Sequence, residues 1–170
     1  MICSIDIGLN GAICMFDNEH AYTLFDMPLT KVNNKKDIDI NMLFEILDGY
    51  NDIEYIAIEK LNNIFGVSKN TMLSLGKQIG YITAYSVFKK IPLIIVHPKD
   101  WQKYAHQDTV ELYISGNYKE TFYKSISKLI NILGKEEVDR NFLLRSRYHD
   151  GRVDAYLMAY YVKHKIKKKV

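Results

Sequence analysis

The chain has 170 residues, 48% of them apolar and 25% charged, with a formal net charge of +3. This composition is that of a soluble globular protein, and the length predicts a single domain, 1–170, able to bury a core unaided. No stretch approaches the ~18–20 apolar residues of a membrane span, the first residues lack the basic region of a signal peptide, and two cysteines make no zinc site by themselves. A soluble, intracellular protein in a reducing compartment is expected, with Cys3 and Cys14 as buried thiols.

Two apolar runs in 1–16 flank a break at Gly8-Leu9-Asn10-Gly11, where Asn-Gly signals a hairpin. The first strand reads as buried on both faces, and Asp6 sits inside it between Ile5 and Ile7. A carboxylate there is costly unless something pairs with it, and a metal ion is the usual partner. The alternative is an Asp at the strand's end bonded to the N–H groups of the turn. A third antiparallel strand is predicted over 20–27, stopped by Pro28, and a polar loop over 31–39. Asp39 can cap a helix over 40–47 that Gly49 stops. The run 55–59 reads as a strand ending in Glu59, and functional groups collect at the carboxyl ends of strands in open α/β sheets. A surface Glu at a strand end is the plainer alternative.

Residues 61–69 read as a loop. Phe65 lies there among Ile64 and Val67, either as an anchor on the core or as a wedge that stacks on bases. Ser68 or Asn70 can cap a long helix running to about residue 89, with Gly76 and Gly80 on one face. Two such glycines each cost about 1 kcal/mol against alanine, so close approach of a backbone or ligand is expected there. A buried strand over 92–96 leads to a short helix opened by Pro98, in which Trp101 reads as core. Lys99 and Lys103 share a face suited either to phosphate or to water. After a loop over 106–117, an amphipathic helix over 118–133 carries Lys119, Lys124 and Lys128 opposite its apolar side, and Gly134 ends it. The charged stretch 135–147, with Arg140, Arg145 and Arg147, reads as an irregular basic loop. The last helix begins near 148. Asp150 and Asp154 stand one turn apart on it, a repulsive pair that a cation would relieve, although Asp150 can also be read as the N-cap. A basic tail over 163–170, frayed, adds non-specific attraction to nucleic acid.

Four acids therefore stand out: Asp6, Glu59, Asp150 and Asp154. Hard oxygen donors without a Cys/His set select Mg²⁺ or Mn²⁺ over zinc. Two such ions, ~3.5–4 Å apart, suit in-line attack on a phosphodiester, with a lysine neutralising charge in the transition state.

The order of elements is that of the ribonuclease H-like α/β fold, with a mixed five-stranded sheet (an antiparallel hairpin plus parallel strands) flanked by helices. Asp6-Ile-Gly-Leu-Asn-Gly-Ala-Ile, Ile58-Glu59-Lys60, Leu75-Gly76-Lys77-Gln78-Ile79-Gly80 and Asp154-Ala155 onward resemble the RuvC-type Holliday junction resolvases. The stretches 98–103 and 149–151 look most like the branch carried by viruses and phages. The resemblance covers nearly the whole chain. It implies a homodimeric, Mg²⁺-dependent endodeoxyribonuclease that cuts two opposed strands of a four-way DNA junction. Mn²⁺ would be able to substitute, with two ions per site, no small-molecule cofactor and no membrane partner; the setting would be the cytoplasm or a viral replication site. By position, Asp6, Glu59 and Asp154 match the metal-binding acids. Many relatives place a fourth acid where this chain has Gly151, so Asp150 is the nearest substitute and His149 a less direct one. The catalytic lysine is expected at Lys124 first and Lys119 second. Phe65, Lys69, Lys77, Lys99, Lys103, Arg145, Arg147 and Arg152 are the expected DNA contacts, and the helix with Gly76 and Gly80 corresponds to the dimer-forming, junction-facing region. Other readings of the same acids are a transposase or recombinase core, a non-cleaving junction binder, and a kinase or ATPase of the actin and hexokinase type, which needs a second lobe.

Overall fold

The computed structural model describes residues 1–61 and 68–166. Phe65 and the end of the basic tail lie outside the described residues. Strands β1 (Ile2–Asp6), β2 (Ala12–Asn18) and β3 (Ala21–Asp26) form an antiparallel meander. Helix α1 (Ile40–Asp48), strand β6 (Tyr55–Glu59), helix α2 (Lys69–Lys89) and strand β7 (Leu93–Val96) follow, after a small hairpin of β4 (Leu29–Val32) and β5 (Lys35–Ile38). The main sheet has the order β3-β2-β1-β6-β7, with β6 parallel to both β1 and β7. The expected mixed five-stranded sheet is thus present. Helices α3 (Pro98–His106), α4 (Glu120–Leu133), α5 (Lys135–Phe142) and α6 (Asp150–Tyr161) complete the described chain, ending in a π-helical turn, Val162–Ile166. Among the described residues no helix is long and apolar enough to cross a membrane.

Both faces of the sheet are covered, and strand alternation divides the core. Cys3, Ile5, Ile13, Met15, Ile56 and Ile58 pack under α1 and α2. Ile2, Ala12, Cys14, Phe16 and Ala57 pack on the other side with α6, α3 and α4. Cys3 and Cys14, both free and buried, fall on opposite faces. Helix α6 lies across β1 and β2 and is buried over Gly151, Val153 and Ala155 through Ala159. The hydroxyl of Ser4, in the middle of β1, donates to the Ala155 carbonyl, stapling strand to helix. On the other face, Asp48 of α1 accepts from the Tyr85 hydroxyl (2.7 Å) and pairs with Lys89 (2.8 Å), which ties α2 to α1.

The caps match the sequence at both long helices of the first half. Asp39 accepts from the Met42 N–H (3.1 Å) and Ser68 from the Thr71 N–H (3.1 Å). Three expectations change. Residues 31–39 are no loop: Asn33 and Asn34, at φ 50° and 61°, make a two-residue turn between β4 and β5. The stretch 135–147 holds α5 and a short ladder of β8 (Leu143–Leu144) with β9 (Arg147–Tyr148), because Val138 and Phe142 give it an apolar side that the core buries. The N-cap of α6 is His149, whose Nδ1 accepts from the Arg152 N–H (3.2 Å), and Asp150 is the first helical residue. The tail is also tied down as far as it is described: Lys163 lies 3.5 Å from Asp17, and His164 2.7 Å from Glu19.

Candidate active site

Asp6 and Glu59 end two adjacent parallel strands. Ile5 is paired with Ile58, so one step further the two acids close β1 and β6 side by side. Alternation points both toward the same layer. Asp6 follows Ile2 and Ser4, and Glu59 follows Ala57, on the face that α6 and α3 cover. Beyond Asp6 the chain turns through residues 7–11, and the Gly11 N–H closes that turn on the Gly8 carbonyl (3.0 Å). The turn is longer than the two-residue hairpin that Asn10-Gly11 suggests. A side chain at Gly11 would run into the Asp6 carbonyl, which is why glycine stands there.

Helix α6 brings the other two acids. Its first turn rests directly on the 7–11 turn: a Cβ at Gly151 would lie 2.6 Å from the Asn10 carbonyl oxygen and 2.8 Å from the Gly11 carbonyl carbon. Position 151 therefore has no room for a carboxylate. The acid sits one residue earlier, at Asp150, on the exposed side of the helix start.

The acids feel one another. Burial raises Asp6 to about 7, with further upward pushes from Glu59 and Asp150. Asp154 is held well above the usual carboxylate range, first by burial and then by Asp6, Glu59 and Asp150. Burial also raises Glu59, opposed by a hydrogen bond in which the Trp101 indole N–H donates to Glu59 Oε1 (2.8 Å). The donor set is four hard carboxylates without cysteine, which fits Mg²⁺ or Mn²⁺. Among the described residues no three His, Cys, Asp or Glu side chains already converge on a single ion position. The four are electrostatically coupled, the proton affinity of Asp6 and Asp154 being raised by their neighbours.

Cations surround the patch unevenly. A cavity of about 380 Å³ is lined by Asp150 and Asp154 together with Lys119, Arg147, Gln102 and Asn117. Lys119 thus lines the same cavity as the two acids. Lys124, the first expectation for the catalytic lysine, does not line this cavity; it pairs with Glu120 (2.8 Å) and Glu111 (3.6 Å). The Arg147 guanidinium lies 5.5 Å from the Tyr118 ring centroid. Arg152, expected at DNA, is committed inside the protein. It grips Asp26 through Nε (2.6 Å) and Nη2 (3.0 Å) and donates to the Asn141 carbonyl (2.7 Å). His149 is likewise engaged by its Nδ1 as the helix cap. Lys77 lines a second cavity, of about 480 Å³, with Lys35 and Lys36 beside Gly8 and Asn10. Lys69, Lys99, Lys103 and Arg145 are exposed. Sequence reasoning missed Trp101 as a partner of Glu59 and Lys35 and Lys36 as neighbours of the turn. For Trp101 a signal existed, since a buried indole is a donor that needs an acceptor.

No family model and no curated protein matches the chain. Solved structures do. The Thermus thermophilus RuvC in complex with a Holliday junction substrate is similar at a TM-score of 0.59 and 13% identity, over 99% of this chain and 95% of that one. The fowlpox virus resolvase, solved with substrate Holliday junction DNA, is similar at a TM-score of 0.56 and 18% identity, over 94% of this chain and 96% of that one. A further Thermus thermophilus RuvC structure gives a TM-score of 0.54 at 14% identity, over 95% of both chains. With its strand order, its helix-covered sheet and these likenesses together, the chain has the ribonuclease H-like fold of RuvC and the fowlpox virus resolvase.

Proposed function

We propose that the protein is a divalent-metal-dependent endodeoxyribonuclease that resolves four-way DNA junctions by paired nicks. The observation that carries this is the coupling of Asp6, Glu59 and Asp154 with Asp150 at the carboxyl ends of two neighbouring strands. Its setting is the fold of two proteins solved with Holliday junction DNA. Asp6, Glu59, Asp150 and Asp154 would hold a pair of Mg²⁺ ions, with Mn²⁺ as a substitute. Bound there, the ions supply a water of lowered pKa and neutralise charge on the leaving 3′ oxygen.

The chain's own groups bind and orient the substrate. Lys119 faces the same cavity as Asp150 and Asp154 and is the cation placed to balance charge on the phosphate under attack. Arg147, Gln102 and Asn117 donate to phosphate oxygens around it. Lys35, Lys36 and Lys77, lining a cavity beside the 7–11 turn, offer a second set of cations to the backbone of a bound strand. The protein acts as a homodimer. Leu73, Gly76, Gly80 and Val87 lie exposed along the outer side of α2, and Cβ atoms on the two glycines would meet nothing within 4 Å among the described residues. A second α2 packed there explains glycines that the monomer does not need. Two sites related by a twofold axis match two opposed strands of a junction.

A synthetic four-way junction with Mg²⁺ tests the reading. Wild-type protein is expected to make symmetric paired nicks. Asp6→Asn and Lys119→Met lose them while still binding the junction, and Lys124→Met keeps most of its activity. Cutting that survives both Asp6→Asn and Glu59→Gln overturns the site, and tight binding without any cutting makes the protein a junction binder.

A further inference from the structure

We infer that Trp101 is a positioning residue for Glu59: its indole N–H holds one carboxylate oxygen and leaves the other for the ion that the acidic patch binds. This rests on the metal-dependent reading above.

Glu59 is the last residue of β6, and a glutamate at a strand end has three side-chain torsions free to wander. A ligand that wanders binds a metal weakly, because each rotamer but one must be given up. Trp101 removes that freedom. Its ring is 1% exposed and packs in the core between the sheet, α4 and α6, so it cannot follow the carboxylate; the carboxylate must come to it. The bond from Nε1 to Glu59 Oε1 is 2.8 Å. An indole N–H donates only, so Oε1 is held as an acceptor and the bond fixes the plane in which Oε2 points away.

The backbone fixes the tryptophan to the strand it serves. Val96 of β7 is paired with Glu59, and the Val96 carbonyl accepts from the Lys60 N–H (2.7 Å). Directly after β7, His97 turns the chain and Pro98 opens α3. The His97 carbonyl then accepts from the N–H groups of Asp100 (3.0 Å) and Trp101 (3.3 Å). The helix therefore starts at a set height beside the end of β6, and its first turn presents the indole to Glu59.

The chain has one tryptophan, so its fluorescence reports on this contact alone. Titrating wild-type protein with Mg²⁺ is expected to shift or quench the Trp101 emission, with the half-saturation seen for junction cutting. In Glu59→Gln the emission should no longer respond. Replacing Trp101 by phenylalanine, which keeps an aromatic side chain of smaller size and deletes the donor, should raise the half-saturating Mg²⁺ by about tenfold to a hundredfold. Mn²⁺ affinity measured calorimetrically should weaken to match, and the loss should vanish when Glu59→Gln is already present. Should W101F fail to fold, biosynthetic replacement of the single tryptophan by benzothienylalanine removes the N–H from an otherwise equal side chain. A wild-type protein that binds Mn²⁺ and cuts junctions, but whose emission ignores Mg²⁺ and whose donor-deleted form binds the ion equally well, overturns the positioning role. A wild-type protein that binds no divalent ion overturns the metal-dependent reading instead.

Discussion

Asp6 sits in β1 with Ile2, Cys3, Ser4 and Ile5 buried behind it, and its pKa of about 7 follows from that setting. A carboxyl whose pKa is higher in the folded than in the unfolded chain binds more protons when folded. Stability then falls as pH rises from about 4, the unfolded value, to about 7. Above that range the charge exists in both states and the full penalty remains. Asp6→Asn removes it. Without divalent ions, thermal melts are expected to show Asp6→Asn more stable than wild type at pH 8, by up to about 4 kcal/mol, with no difference at pH 4. Mg²⁺ should restore wild type at pH 8 and do little for the variant. The acids were legible in sequence because a carboxylate in or ending an apolar strand is conspicuous. The cations were not, because a basic residue's role depends on which acid it meets. Lys124 meets Glu120 and Glu111, and Arg152 meets Asp26, 126 residues earlier in the chain.

At the level of elements, α6 and the 7–11 turn act as one unit because Gly151 lets them touch. Gly151→Ala would drive a methyl group into backbone atoms at 2.6–2.9 Å, none of which belongs to a flexible side chain. It is expected to destabilise the protein by about 2–4 kcal/mol, read by urea unfolding, and to abolish cutting even where the fold survives. The same contact leaves no room for a carboxylate at 151, the position where the resemblance led a fourth acid to be looked for. The sequence showed the departure but not its steric cause, which needs two segments some 140 residues apart to be seen together. Most elements were legible because their caps and periods are local: Asp39, Ser68, Pro98 and Gly134 stand where the chain starts and stops its helices. The hairpin of β4 and β5 was missed although Asn33-Asn34 is a proper two-residue turn signal, because the flanking residues are too polar to read as strands. Helix α5 was hidden by its charge, since only Val138 and Phe142 are buried on it.

For the molecule as a whole, the proposed second copy makes its own prediction. Gly76→Ala and Gly80→Ala should each stabilise the isolated chain by about 0.5–1 kcal/mol, since nothing opposes the added methyl and alanine favours helix. If α2 pairs with its counterpart, the same changes should shift the assembly toward monomer in light scattering and lower paired nicking more than single nicking. A variant that is simply more stable, with unchanged mass in solution, would place the dimer contact elsewhere. The fold was legible as a whole because strand order follows from the meander at the start and the two β-helix-β steps after it, whereas the proposed dimer rests on two glycines whose added Cβ would meet nothing within 4 Å among the described residues.

Helix α6 supplies two of the four acids and is also wrapped by the core from Val153 to Ala159. A substitution in the core beneath α6 therefore disturbs Asp150 and Asp154 along with the fold. In the proposed reading, what remains adjustable is how the carboxylates draw together on the divalent ions and DNA brought to them.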